Sequence, residues 1–366
     1  MVQQKDLGQE TANFRLQARF HKNPICHFLI GRILHIPEVN RQLDSYDKII
    51  RESEDKQGEL ALFLELVLTD LETDWELCDP AGTLQSLSRQ NRPILLVSNH
   101  PLGGRDGLAL LDCISQIWGS HHVKALVNEF LLTIPYLKEF FLPISPAKME
   151  SHRRMEQLRR LNTALEQNME CSKAYLFFPA GLCSRRHDEP LSLQAELKQS
   201  NMGSLSDDTN AVAEMSLLQN WQPLRQVYDL PWQSSFLRLG RKHRLPILPL
   251  HISGRNSNNF YRMARLRRKL GLRFNWEMLL LPGEFLHNRR RSEYQEKCRL
   301  KITPGALLEL ETISQWPSGY DRLWAQMCKH YVYQLPQWQN ADMAQSNLAD
   351  LDRQIRTLAQ TAARKR

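Results

Sequence analysis

No apolar stretch of this chain reaches the ~18 to 20 residues that crossing a bilayer takes. The longest candidates are Leu60–Leu68 and Phe28–Ile36, and the second is interrupted by Arg32 and His35. Such a chain, if it meets a membrane, lies on it. The opening residues, Met-Val-Gln-Gln-Lys-Asp-Leu-Gly-Gln-Glu-Thr-Ala-Asn-Phe, hold no apolar core and are read as lacking a secretory signal. A CxxC pair is absent as well. The seven cysteines (Cys26, Cys78, Cys113, Cys171, Cys183, Cys298 and Cys328) are scattered and odd in number. That argues against a disulfide framework or a Cys-based zinc module and for a reducing, cytoplasmic setting. No GxSxG elbow and no internal repeat occurs.

What remains is ordinary globular material: 366 residues, 42% hydrophobic and 24% charged. At about 150 residues per domain this is roughly two units or one elaborated α/β domain. Lys and Arg number 48 against 40 Asp and Glu, a net charge of +8 with a pI near 9.1. The excess suits an anionic partner, whether a membrane surface, a phosphate or a nucleic acid. No nucleic-acid module is recognisable, so that class is set aside.

Residues 1–90 read as a helical region. Asp44–Ile50, Leu60–Leu71 and the segment around His27–Ile36 carry apolar residues at helical spacing, with Pro24, Pro37 and Pro80 between them. From Arg92 the texture changes. Pro-Ile-Leu-Leu-Val (93–97), Gly107–Trp118, Val123–Leu132, an amphipathic helix at Met149–Gln167, Ala-Tyr-Leu-Phe-Phe (174–178) and Pro-Ile-Leu-Pro-Leu-His-Ile (246–252) follow one another. Short apolar runs bounded by Pro or Gly and alternating with helices predict an α/β unit over 91–310. Its sheet should be largely parallel, flanked by helices, with further strands at 277–281 and 300–302. Residues 191–226 are polar and aperiodic over 201–210 and read as an inserted loop with a short helix at Ala211–Leu218. Residues 311–366 read as a helical extension whose basic end is a solvated terminus.

The segment richest in chemistry is Ser98-Asn99-His100-Pro101-Leu102-Gly103-Gly104-Arg105-Asp106-Gly107. It follows a predicted buried strand and precedes a predicted helix, which puts His100 at the carboxyl end of a parallel strand, where open α/β sheets place ligands. Asp106 is near enough to fold back on the imidazole, fix its tautomer and leave the other ring nitrogen as a base. The competing reading is structural, with His100 closing a strand and Asp106 capping a helix. No nucleophile stands in the motif, so a dyad here would use a hydroxyl brought by the substrate. Two further strands end alike. Leu-Phe-Phe-Pro-Ala-Gly-Leu-Cys-Ser-Arg-Arg (176–186) supplies Pro179, Gly181, Ser184 and Arg185, and the strand at 246–252 runs into Gly254, Arg255 and Asn256. Ser and Arg at such ends suit an anionic oxygen.

These blocks resemble the phospholipid/glycerol acyltransferases. The first looks like their His/Asp block, the second like Phe-Pro-Glu-Gly-Thr-Arg-Ser, and Leu-Pro-Ile-Leu-Pro-Leu (245–250) like their Pro-bounded strand. The match spans roughly residues 94 to 281, and its form is similar to the hemolysin-like bacterial branch, some members of which acylate amino-acid lipids. There are departures. The common spacing is His-x4-Asp, whereas His100 and Asp106 are one residue further apart, with Gly103 and Gly104 between them. Ala180 stands where Glu is usual, so a glycerol-phosphate acceptor is not implied.

The resemblance implies an enzyme of membrane lipid biosynthesis that moves a fatty acyl group from acyl-CoA or an acyl carrier protein to a lyso-lipid hydroxyl. His100 and Asp106 would be catalytic. Asn99, Gly103, Gly104, Pro179, Gly181, Ser184, Arg185, Arg255 and Asn256 would bind substrate. No bound cofactor and no metal is expected: His121-His122 and His187-Asp188-Glu189 lack a ligand spacing. A nucleophilic Cys183 would need His100 beside it and a lowered pKa, and it is read instead as a small turn residue. The basic, apolar stretch Phe260–Phe274 and the cluster Arg289–Arg291 suit an anionic leaflet, an acyl carrier protein or coenzyme A. An amphipathic helix packed on the sheet with a solvated basic face reads equally from the same residues. The expected location is cytoplasmic, peripherally associated with the inner membrane. An acyl hydrolase using the same dyad, and a non-catalytic peripheral membrane protein, are the alternatives.

Overall fold

The computed structural model describes residues 36–53, 58–128, 132, 135–138, 140–144, 151–187, 191, 227–271, 298–316, 318–338, 344–350, 352–353 and 356. In chain order the elements are α1 (Ile36–Glu52), α2 (Glu59–Asp70), β1 (Thr73–Leu77), α3 (Thr83–Arg89), β2 (Ile94–Ser98), α4 (Arg105–Trp118) and β3 (Val123–Asn128). Next come α5 (Pro135–Lys138), β4 (Phe141–Ile144), α6 (Ser151–Asn168), β5 (Ala174–Phe177), β6 (Arg185–Arg186) and β7 (Val227–Tyr228). The chain goes on through α7 (Ser235–Lys242), β8 (Ile247–Ile252), α8 (Asn258–Lys269), β9 (Cys298–Pro304), α9 (Leu310–Gln315) and α10 (Asp321–Gln334). The expected strand at 277–281, the loop at 201–210, the helix at 211–218 and the cluster Arg289–Arg291 lie outside the described residues.

Seven strands form one sheet in the order β1-β9-β8-β2-β5-β3-β4. Neighbours are parallel except at β8–β9, which pair antiparallel. The fold is therefore mixed α/β with a largely parallel sheet, as the alternating runs predict. β2 is central and every residue of Ile-Leu-Leu-Val-Ser is buried. A strand covered by helices on both faces needs apolar side chains at successive positions, and this explains its unbroken run. Period-two alternation then sorts them. Leu95 and Val97 join Tyr175, Phe177 and Ile247 in a core under α6, α7, α9 and α10. Ile94 and Leu96 join Ala174, Leu176, Leu248 and Leu250 in a second core under α1 to α4.

Two regions differ from expectation. Residues 1–90 are not helical throughout, since Thr-Asp-Trp-Glu-Leu (73–77) is the edge strand β1, paired with β9 from Thr73↔Cys298 to Leu77↔Ile302. Residues 311–366 do not merely extend the fold, because α10 buries Leu323, Trp324, Met327, Tyr331 and Val332 in the first core. Among the described residues no helix is long and apolar enough to cross a membrane.

Candidate active site

The three blocks follow three adjacent parallel strands. β5 and β8 flank β2, with Val97 opposite Phe177 and Ser98 opposite Leu250, so all three chains leave the sheet at the same edge. Asn99 fastens two of them. Its amide nitrogen donates to the Ile252 carbonyl (2.9 Å) and its amide oxygen accepts from the Ile252 N–H (2.8 Å). Ser184 N–H donates to the His100 carbonyl at 2.8 Å, joining the block after β5. The Asn256 amide lies 3.4 Å from the carbonyls of Pro101 and Leu102, joining the block after β8. The turn between β2 and α4 passes through Gly103 at φ +80°, a conformation that favours glycine.

His100 Nδ1 lies 3.0 Å from Asp106 Oδ2, with the imidazole side chain 17% exposed and the carboxylate fully buried. The two atoms are within ion-pair distance without meeting hydrogen-bond geometry. Phe178 holds the other side of the ring, with centroids 4.3 Å apart. Asp106 also accepts from the N–H of Leu102 (2.8 Å), Gly104 (3.0 Å) and Gly107 (2.9 Å). Asp106 is the second residue of α4, whose N-cap is Gly104, so it does not cap the helix; its carboxylate knits the turn and faces the imidazole. Burial by itself would raise the Asp106 pKa; the imidazole and the backbone donors outweigh it and hold the value below the usual carboxylate range. For His100, burial favours the neutral ring, but Asp106 and Asp229 together lift its pKa above the ordinary imidazole value against the Arg185 guanidinium.

The other expected site residues differ in where they lie. Ser184 and Arg185 are buried beside the dyad. Ser184 Oγ donates to Asp229 at 2.6 Å, and Arg185 bonds the Cys183 carbonyl (2.9 Å) with its guanidinium 5.1 Å from the Phe260 ring. Pro179 and Gly181 form the turn after β5, where the Pro179 carbonyl accepts from Gln233 N–H at 3.1 Å and Gly181 adopts φ +66°. Gly104 and Asn99 support the histidine turn. Arg255 is exposed and donates to Asn258 at 3.0 Å. The Arg inside the first block points away, since Arg105 is buried against Thr73 and the Leu71 carbonyl and anchors α4 to β1.

Cys183 is fully buried, and burial pushes its thiol up to about 11. At neutral pH it carries almost no thiolate, which fits a turn residue rather than a nucleophile. Asp229 escaped the sequence reading. It is fully buried and accepts the His100 backbone N–H, Ser184 Oγ and Trp232 Nε1. Tyr333 and Lys329 reach the same place from α10. Among the described residues, no group of three or more His, Cys, Asp or Glu is arranged to hold a metal ion.

At the carboxyl edge of a parallel sheet an imidazole thus faces a buried carboxylate, an arrangement able to carry a proton between reacting groups. The acyltransferase family model matches residues 60–194 and 218–307, which include every element of this site except the α10 side chains. The chain belongs to this acyltransferase family and is an enzyme of that class. It is also similar to the lyso-glycine lipid O-acyltransferase of Phocaeicola vulgatus, 28% identical over 314 residues, covering 85% of this chain and 88% of that protein. The lyso-glycine lipid O-acyltransferase of Bacteroides thetaiotaomicron is 27% identical over 309 residues, covering 84% and 88%.

Proposed function

We propose that this enzyme transfers a fatty acyl group from an acyl thioester, acyl-CoA or acyl carrier protein, to the hydroxyl of a lyso-lipid carrying an amino-acid headgroup, as in a lyso-glycine lipid. The observation that carries the reading is the His100 Nδ1–Asp106 Oδ2 pair at 3.0 Å. With Nδ1 turned to the carboxylate, Nε2 is left as the base. It takes the proton of the lipid hydroxyl as that oxygen attacks the thioester carbonyl carbon. The tetrahedral intermediate collapses, the C–S bond breaks, and the imidazolium returns its proton to the leaving thiolate. One ester and one thiol result, and His100 ends as it began. Asp106 stabilises the imidazolium in between, a form of catalysis worth about 10² to 10⁴-fold. The names of the two bacterial relatives support the choice of acceptor.

The acceptor is a lipid, so access from a bilayer matters. α8 buries Phe260, Tyr261 and Ala264 and exposes Arg262, Arg265, Arg268 and Lys269 around Leu266 (44% exposed) and Leu270 (58%). Exposed leucines ringed by basic residues suit an anionic leaflet. Ser257 caps the helix by accepting from Phe260 N–H at 3.2 Å, and Asn256, one residue earlier, contacts the histidine turn. This supports a peripheral enzyme whose lipid-facing helix begins beside its base.

The test is purified protein with a lyso-glycine lipid and either thioester, read by intact-lipid mass spectrometry. Wild type is expected to add one acyl group to the lipid, and His100→Ala to add about 10²-fold less or none. Full activity in His100→Ala would overturn the reading. Free fatty acid released at the same rate with and without acceptor would make the enzyme a hydrolase instead.

A further inference from the structure

Asp229 sits where four separate parts of the chain meet. Its carboxylate accepts the His100 backbone N–H (3.2 Å to Oδ1, 3.3 Å to Oδ2), the Ser184 hydroxyl (2.6 Å) and the Trp232 indole N–H (2.9 Å). Its backbone N–H donates to the Tyr333 hydroxyl at 2.8 Å, and its carbonyl accepts from Lys329 Nζ at 2.6 Å. Tyr333 and Ser184 hydroxyls are 3.2 Å apart. The direction of that last bond follows from the others. Ser184 spends its proton on Asp229, so Tyr333 donates to Ser184 Oγ. The result is a closed ring: Asp229 N–H to Tyr333, Tyr333 O–H to Ser184, Ser184 O–H to the Asp229 carboxylate. Each member polarises the next in surroundings of low dielectric.

Both oxygens accept, Oδ1 from Ser184 and Oδ2 from Trp232, so an amide would turn a donor against one of them. Aspartate also brings a buried charge, which is costly to place without a use. We propose that Asp229 is a second positioning carboxylate for His100, holding the backbone of the histidine turn and supplying, behind Asp106, negative charge that favours the imidazolium. The Ser184–Tyr333 ring keeps that carboxylate aimed at the turn and makes α10 part of the catalytic support. The charged groups facing the imidazole are Asp106 from α4, Asp229 from the segment after β7 and Arg185 from β6. Arg185 opposes the two carboxylates. Tyr333 and Lys329 face Asp229 from α10. Burial and the neighbouring carboxylate hold the Tyr333 hydroxyl well above the usual phenol range, so it stays a donor.

The proposal rests on His100 acting as the base, and its test separates the two. His100 is titrated by NMR in ¹⁵N-histidine-labelled full-length protein, its signal assigned by its loss in His100→Gln. In Asp229→Asn the midpoint is expected to fall by about one pH unit, the effect of removing one nearby opposite charge. In Ser184→Ala, where the charge stays, the midpoint should move far less. Acyl transfer by Asp229→Asn should lose about ten-fold in kcat with little change in KM, its acidic limb moving to lower pH. An unchanged His100 midpoint in folded Asp229→Asn overturns the proposal. Should that variant not fold, Asp229→Ser removes the same charge while leaving a hydroxyl in the turn, and a midpoint unmoved there has the same force. The titration uses no substrate. A lowered midpoint without acyl transfer would therefore sink the activity and keep the Asp229–His100 link, while a fixed midpoint with acyl transfer intact would do the reverse.

Discussion

Asp106 faces the imidazole with one oxygen while backbone N–H groups from Leu102, Gly104 and Gly107 point at the same carboxylate, so replacing it perturbs the turn and the base together. The signs can be told apart. The depressed pKa of Asp106 means that its stabilisation is full above the usual carboxylate range and is lost as pH falls through the lower folded value. The raised pKa of His100 means that its share is full below the ordinary imidazole value and fades as pH rises through the folded one. Asp106→Asn is expected to cost about 1–3 kcal/mol at pH 7 in urea unfolding, since an amide puts a donor against buried donors. It should also lower acyl transfer by about 10² to 10⁴-fold and move the acidic limb of the rate profile to lower pH. A loss of stability with activity kept would reduce Asp106 to a brace of the turn. The pair was legible because both residues lie within one short motif that follows a buried strand. Asp229 was not, because its partners stand 129, 45 and 104 residues away and Tyr-Asp-Leu-Pro-Trp (228–232) carries no motif. Only the folded chain brings His100, Ser184 and Tyr333 to one aspartate.

At the scale of elements, buried strands announce themselves and edge strands do not. β2, β5 and β8 show apolar runs, interrupted in β8 by His251, because helices cover both of their faces. Among the described residues β1 is an edge strand with two acidic residues in five, next to a more apolar helix, and its partner β9 arrives 225 residues later. In the basic stretch after β8, α8 packs Phe260 and Tyr261 inward and leaves Leu266 and Leu270 outside with the arginines, so contact with a leaflet is a prediction for vesicles. Replacing both leucines by serine should therefore leave the melting temperature nearly unchanged. Sedimentation with phosphatidylglycerol-containing vesicles should weaken by ten-fold or more, since a buried leucine is worth about 1.5–3 kcal/mol. Neutral vesicles should bind the wild type poorly, because each basic residue near an anionic surface contributes about 1 kcal/mol. Equal sedimentation of the double variant would place the lipid contact on another face.

Across the whole molecule, the expected border at residue 311 cuts through a packed core. Trp324 stacks on Trp316, Met327 and Tyr331 lie beneath the sheet, and the Tyr331 hydroxyl accepts the Ala306 N–H at 2.8 Å and reaches the Ala344 carbonyl at 3.1 Å. Polar and apolar residues mix so closely in Asp321–Gln334 that the sequence hides how much of it is buried: Gln326, Lys329, His330 and Gln334 are inside together with the aromatics. Gln326 explains part of this, holding both backbone groups of Trp232 at 3.0 and 2.8 Å. Lys329 and Tyr333 continue the same helix into the Asp229 ring. Stability and catalytic support thus share one element, and a single change far from the imidazole tests it. Trp324→Ala is expected to lower unfolding free energy by about 3–5 kcal/mol, the usual range for an aromatic removed from a core. Heat should then abolish acyl transfer and the far-ultraviolet circular dichroism of the sheet over the same, lower temperature range. If the sheet signal melted at the wild-type temperature, α10 would be a separable appendage. The active site would then have to work without the helix that now closes its carboxylate ring.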